Sequence, residues 1–272
     1  MLKGKLETAR AIFRKEGIRG LLRISIKIYL RPIIMALYIN TKWLPRSLYS
    51  RINCMSHPRK TKRDLDTIMR DLDLWVSKHG DGIYVAEDFV PVPGHGLDHS
   101  IQQVRREISE FVRILLLKGL DNTILEIGVG VHGGTHILWR HIFKRVVTIE
   151  RSIGTVLNLR VNEWLDNRST VIVGSSQDHS TLERVQACLD SVDVLFLDGD
   201  HSYEGVAKDW AMYHGLVRPG GIVVFHDSIC TFPPYGIAKF IGDLSQGLID
   251  NKCHTLHHIV FSGQVGISYE EC

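Results

Sequence analysis

The run VDVLFLDGDHSYEG, residues 192–205, concentrates reactive side chains in the 272-residue chain. Four apolar residues, Val194 to Leu197, lead directly into Asp198, Gly199, Asp200, His201 and Ser202. A buried strand ending this way brings oxygen ligands and a near-neutral proton acceptor to one point. Strand carboxyl ends in open α/β sheets are also where ligands bind. The bland roles for such residues are helix caps, and Asp200 and Ser202 sit where a helix starting near Tyr203 needs one. A second apolar run, GIVVFHDS, ends in Asp227.

A third feature is ILEIGVGVHGGTH, where an apolar strand turns into a helix through Gly128, Gly130, Gly133 and Gly134. Glycines let the chain turn sharply and let a ligand approach the backbone. Glu150 closes the next apolar run, where a carboxylate can accept both ribose hydroxyls of an adenosine-containing ligand. Glu126, just before the first glycine, sets an acid beside the pocket. It suits the amino group of a methionine moiety and repels a pyrophosphate; its alternative role is to bond backbone only.

These residues need a frame. The apolar runs TILEIGV, RVVTIE, STVIVG, VDVLFLD and GIVVFHD alternate with helix-length segments, which predicts a Rossmann-like, mostly parallel α/β sheet. HHIVFSGQVGISYE adds a terminal antiparallel hairpin, so seven strands are expected. Upstream, Leu65, Ile68, Met69, Leu72 and Val76 stand at helical spacing and predict a helix with Gly80 as its stop, and a second is expected from about Ser100 to Lys118 with Gly119 after it. Between them, 81–99 reads as a Gly/Pro-rich loop long enough to cover a site, with His95 as a lid residue.

Charge divides the chain. Residues 1–63 carry 16 Lys/Arg against Glu7 and Glu16, a net +14, whereas the remainder is −11. The expected organisation is a basic amphipathic helical arm over 1–63 and a catalytic domain over 64–272, with helices and cap loop at 64–120 and core at 121–272. The arm does not span a bilayer, because Lys27, Arg31 and Pro32 interrupt its apolar part. It is suited to peripheral contact with an anionic membrane face, to packing on the body, or to a homo-oligomer interface. Five scattered cysteines without a C-x-x-C pair suggest neither a disulfide framework nor a cysteine zinc site, and fit a cytoplasmic protein. His254, His257 and His258 match no zinc spacing and read as structural. An acidic body with dispersed tryptophans argues against nucleic acid.

The E-x-G-x-G run, Glu150, the segment GSSQD (174–178) and the Pro219-Gly220-Gly221 turn recur in this order in the class I S-adenosylmethionine-dependent methyltransferases, which the chain resembles from about Asn122 to Tyr269. More narrowly, LFLDGDHSYEGVAKDW followed by GGIVVFHDS is similar to the branch holding sugar and macrolide O-methyltransferases and cephalosporin hydroxylase-like proteins. The resemblance implies O-methylation of a small-molecule or glycan acceptor with S-adenosylmethionine. It implies cofactor contacts from Glu126, Gly128, Gly130, Gly133, Glu150, Ser176 and Asp178, Mg²⁺ on Asp198 and Asp227, and His201 as general base. Ser228 follows Asp227 where catechol-type enzymes carry Asn, a better ligand. The competing readings are an NAD(P)-dependent oxidoreductase, disfavoured by Glu126 and the Pro-Gly-Gly turn, and a membrane-associated scaffold that keeps the fold without the chemistry.

Overall fold

The computed structural model describes residues 64–79, 84–85, 103–129, 133–153, 155, 169–263 and 265–272. The arm 1–63, His95 and Gly130 lie outside these residues, as does most of the Gly/Pro-rich stretch.

Helix α1 spans Leu65–His79 and buries the apolar stripe Ile68, Met69 and Leu72, as its spacing predicts. The second helix starts later than expected. Helix α2 covers Arg105–Lys118, while Gln103–Val104 form strand β2, paired in parallel with β1 at Tyr84–Val85. Backbone groups before Arg105 are thus committed to a neighbouring strand, and the loop expected over 81–99 contains the other half of that pair. Gly119 ends α2 as expected, in the left-handed region at φ 68°.

The core then follows the predicted alternation: β3 Thr123–Ile127, α3 Gly134–Ile142, β4 Arg145–Glu150, β5 Ser169–Val173, α4 His179–Gln186, β6 Val192–Leu197, α5 Tyr203–Tyr213, β7 Val217–His226, α6 Ile237–Ser245, β8 Leu256–Ile259 and β9 Ile267–Glu271. These strands form one seven-stranded sheet in the order β5-β4-β3-β6-β7-β9-β8. Strands β3 to β7 run parallel, and β9 lies antiparallel between β7 and β8, giving the closing hairpin. Chain order reverses at β3, so a crevice opens at the carboxyl ends of β3 and β6.

Both sheet faces are apolar because helices cover both. Phe111, Trp139 and Phe196 pack one face under α1, α2 and α3. Val185, Trp210 and Phe240 pack the other under α4, α5 and α6. At the amino end of the sheet, the buried Asp193 carboxylate accepts the N–H groups of Asn122 (2.6 Å) and Thr123 (3.2 Å) and pairs with Arg218. That clamp leaves the opposite end for function. The Pro219-Gly220-Gly221 turn, expected before a strand, lies inside β7 instead: Val217 pairs with Val192 but Ile222 with Val194. The four residues between are an irregularity that Gly220 accommodates at φ 76°.

Candidate active site

The crevice is built by backbone approach. Gly128 has φ +84°, and a Cβ there would lie 2.0 Å from the carbonyl oxygen of Asp198. Its N–H donates to the Ile149 carbonyl (3.0 Å), while the Asp198 N–H donates to the Ile127 carbonyl (2.9 Å). The glycine turn and the acid-rich run are therefore in direct contact. Gly133 caps α3 at φ 71°. Glu150, at the end of β4, accepts the N–H of Ser152 (2.6 Å) and of Val129 (3.2 Å). Burial raises its pKa, and those two N–H groups work the other way.

The Gly174 N–H donates to the Glu150 carbonyl (3.1 Å), so the GSSQD segment lies at the same end of the sheet. The Ser176 carbonyl accepts the Tyr213 hydroxyl (2.7 Å), Gln177 donates to Asp200 (3.3 Å), and Asp178 is exposed at the N-cap of α4. Beneath this segment stands Asp209, 2% exposed, with a pKa pushed up to about 6, chiefly by burial.

Glu126 is a correction to the sequence reading. Its strand turns the side chain under α3, where one oxygen accepts Trp139 Nε1–H (2.9 Å) and the other the Thr148 hydroxyl (2.8 Å) while lying 3.1 Å from His136 Nδ1. The carboxylate is fully buried and satisfied by side chains, so it fastens α3 to the sheet rather than facing the cleft. Alternation along β3 decides this: Glu126 shares the face of Ile124, not that of Ile127.

Across the glycine turn, three predicted residues meet. Asp198 follows β6, Asp227 follows β7, and His201 sits before α5, whose N-terminus Ser202 caps by accepting the Gly205 N–H (3.0 Å). His201 Nε2 lies 3.3 Å from Asp198 Oδ1 and 3.7 Å from Asp227 Oδ2. Ligand atoms of Asp198, His201 and Asp227 all fall within 4.8 Å of one another, the only such group among the described residues. Asp227 is a non-glycine residue at φ 53°, backbone strain of the kind that collects at functional sites. Asp200 stays outside the group, accepting the Ser202 N–H (3.0 Å).

His226 completes the cluster. It was legible in FHDS beside Asp227 but carried no predicted role. Its Nδ1 is 3.1 Å from Asp198 Oδ1 and 3.4 Å from Asp227 Oδ1. Burial works against charge on both Asp198 and His226, yet their attraction wins: Asp198 is held well below the usual carboxylate range and His226 well above the usual imidazole range. For His201, burial is likewise outweighed by the bond to Asp198 and the charge of Asp227, which raise its pKa. Tyr235 stacks on the His201 ring at 4.9 Å. Of the terminal histidines, His254 lies between Asp250 and Glu270, and His258 pairs with Ser268.

Comparison with known proteins agrees with this geometry. Residues 125–228, which hold the glycine turn, Glu150 and the whole acid–histidine cluster, match a family model described as a methyltransferase domain. Residues 125–228 thus carry a methyltransferase domain on the Rossmann-like sheet described above. Its relatives include demethylmacrocin O-methyltransferase of Streptomyces fradiae, 29% identical over 148 residues, which cover 50% of this chain and 35% of that protein. An uncharacterised protein of Acanthamoeba polyphaga mimivirus is 31% identical over 114 residues, covering 39% of this chain and 52% of the other. The chain thus spans about a third to a half of the length of these curated relatives. Among solved structures, the MycE methyltransferase from the mycinamycin biosynthetic pathway, in complex with Mg and SAH, shares the fold at TM-score 0.50 and 19% identity, covering 78% of this chain and 55% of that one. Among the described residues, no helix is long and apolar enough to cross a membrane.

Proposed function

We propose that the protein is an S-adenosylmethionine-dependent O-methyltransferase acting on a hydroxyl of a sugar or glycan-type metabolite, with Mg²⁺ at Asp198 and Asp227 and His201 as general base. The observation that carries this reading is the meeting of Asp198, His201 and Asp227 within 4.8 Å, directly across the backbone from the Gly128 turn. Support for the acceptor class comes from the relative named as demethylmacrocin O-methyltransferase and from the resemblance to sugar and macrolide enzymes.

The residues fit a divalent cation. Asp227 Oδ2 and Ser228 Oγ are buried without hydrogen-bond partners, which leaves two oxygen donors aimed at an unfilled need. S-adenosylmethionine supplies the methyl group, and Mg²⁺ supplies positive charge that acidifies an acceptor hydroxyl. Glu150 and the 174–178 segment would hold the nucleoside, and the Gly128 and Gly133 backbone would let it approach closely. With the cofactor bound, His201 would take the proton of the acceptor hydroxyl as the methyl group moves from sulfur to that oxygen, releasing S-adenosylhomocysteine. Tyr235 stacked on His201 fixes the ring plane for that transfer. Much of the remaining acceleration is alignment of oxygen, carbon and sulfur.

Calorimetric titration with S-adenosylhomocysteine tests the core of the reading. Tight one-site binding is expected, and no detectable heat at millimolar ligand would overturn it. The +14 arm further supports peripheral contact with an anionic surface. Full-length protein should bind anionic vesicles in a salt-sensitive way, and indifference to vesicle charge would remove that role.

A further inference from the structure

The geometry points to Glu107, in the first turn of α2, as the positioning residue that fixes the Asp227 carboxylate through the loop between β8 and β9. Glu107 is fully buried and its bonded partners are 154 to 159 residues away in the chain. Oε1 accepts the N–H of Phe261 (2.7 Å), the N–H of Ser262 (2.8 Å) and the Ser262 hydroxyl (2.9 Å); Oε2 accepts the N–H of Gly266 (3.1 Å). Arg106, one residue earlier, lies over the Phe261 ring at 3.9 Å. Burying a carboxylate is costly, and four converging donors are the kind of arrangement that offsets the cost.

The grip is passed on to the site. Val265 and Gly266, held by the Ser262 hydroxyl (3.1 Å) and by Glu107 respectively, present their carbonyls to the N–H groups of Ile229 and Ser228, each at 3.2 Å. On the other side of Asp227, His226 pairs with Ile267 in the β7–β9 ladder. Asp227 is therefore the one residue of this stretch left out of the pairing, bracketed on both sides and held at φ 53°. The fit is close, since a Cβ at Gly266 would stand 3.0 Å from both Ser228 Oγ and Ile229 Cγ1. Without Glu107 the loop loses the acceptor of four buried hydrogen bonds, and the outer bracket of Asp227 loosens. A remote clamp of this kind orients a ligand in the way that supporting hydrogen bonds around metal sites do.

Because Asp227 matters here as a ligand, the role rests on the metal-assisted reading above, and the test separates the two. Mn²⁺ binding is measured by electron paramagnetic resonance on the wild-type chain and on Glu107→Gln, and amide hydrogen exchange is followed at Ser228 and Ile229. The substitution keeps the shape of the side chain but replaces one acceptor oxygen with an NH₂ group, which cannot accept from the loop N–H groups. The expected results are Mn²⁺ affinity weakened about tenfold or more, exchange at Ser228 and Ile229 accelerated about tenfold, and S-adenosylhomocysteine affinity within twofold of wild type. Unchanged exchange at both amides overturns the role, as does unchanged Mn²⁺ affinity when the wild type binds the ion. Should the wild type bind no Mn²⁺, the metal reading fails and the exchange result alone decides Glu107. If Glu107→Gln does not fold, Ser262→Ala, which removes one donor to Glu107 and the support of Val265, must show the same exchange effect in weaker form.

Discussion

Asp209 offers a stability measurement whose size follows from the structure. The side chain lies under the Gly174–Asp178 segment; a Cβ on Gly199 would stand 3.4 Å from its Oδ2, and its Oδ1 is buried with no partner. Burial is the main reason its pKa rises from 3.8 to about 6; the hydrogen bond with Ser176 offsets part of this and the Asp200 charge adds to it. Below pH 3.8 folded and unfolded chains both hold the proton, so no penalty exists. As pH rises toward 6 the unfolded chain ionises first and stability falls. Above that point both are ionised, and the full cost of about 3 kcal/mol remains, at about 1.4 kcal/mol per pKa unit. Asp209→Asn removes the titration while keeping an oxygen near Ser176. In urea unfolding, the variant's advantage over wild type should widen by about 1.4 kcal/mol between about pH 5 and pH 7.5. A difference that stays constant across that range would show that Asp209 is not the buried, proton-retaining acid described above.

Three further substitutions probe other parts of the site. His201→Ala should cut turnover about 10²- to 10⁴-fold while S-adenosylhomocysteine affinity stays within twofold; wild-type turnover would remove the general-base role. Glu126→Leu should destabilise the fold by about 3 kcal/mol or more in urea, since Trp139 Nε1–H, the Thr148 hydroxyl and His136 lose a buried acceptor. Preserved stability with lost cofactor affinity would instead return Glu126 to the cleft. Gly128→Ala should yield no folded protein, because its Cβ meets the Asp198 backbone at 2.0 Å and the φ of +84° is strained for alanine; a soluble, cooperatively unfolding variant would contradict that contact.

The alternation of short apolar runs with helical segments was enough to determine the parallel sheet, its closing hairpin and the positions of Asp198, His201 and Asp227 at one end of it. Strand ends are readable because a buried strand stops being apolar where it leaves the core. The start of α2 was not readable, because pairing of Gln103–Val104 with a strand near residue 84 is a contact between segments far apart in sequence. Glu126 was misplaced for a related reason: motif spacing identifies the residue, but only the packed face of β3 decides whether its carboxylate meets a ligand or Trp139. His226 and Glu107 gained their roles the same way. Each is an ordinary polar residue in the sequence, and each becomes part of the site only because a neighbouring strand or a loop 154 or more residues away brings its hydrogen-bonding partners to it. Local chemistry and periodicity thus determined the elements and most of the cluster, while long-range packing decided which side chains face it.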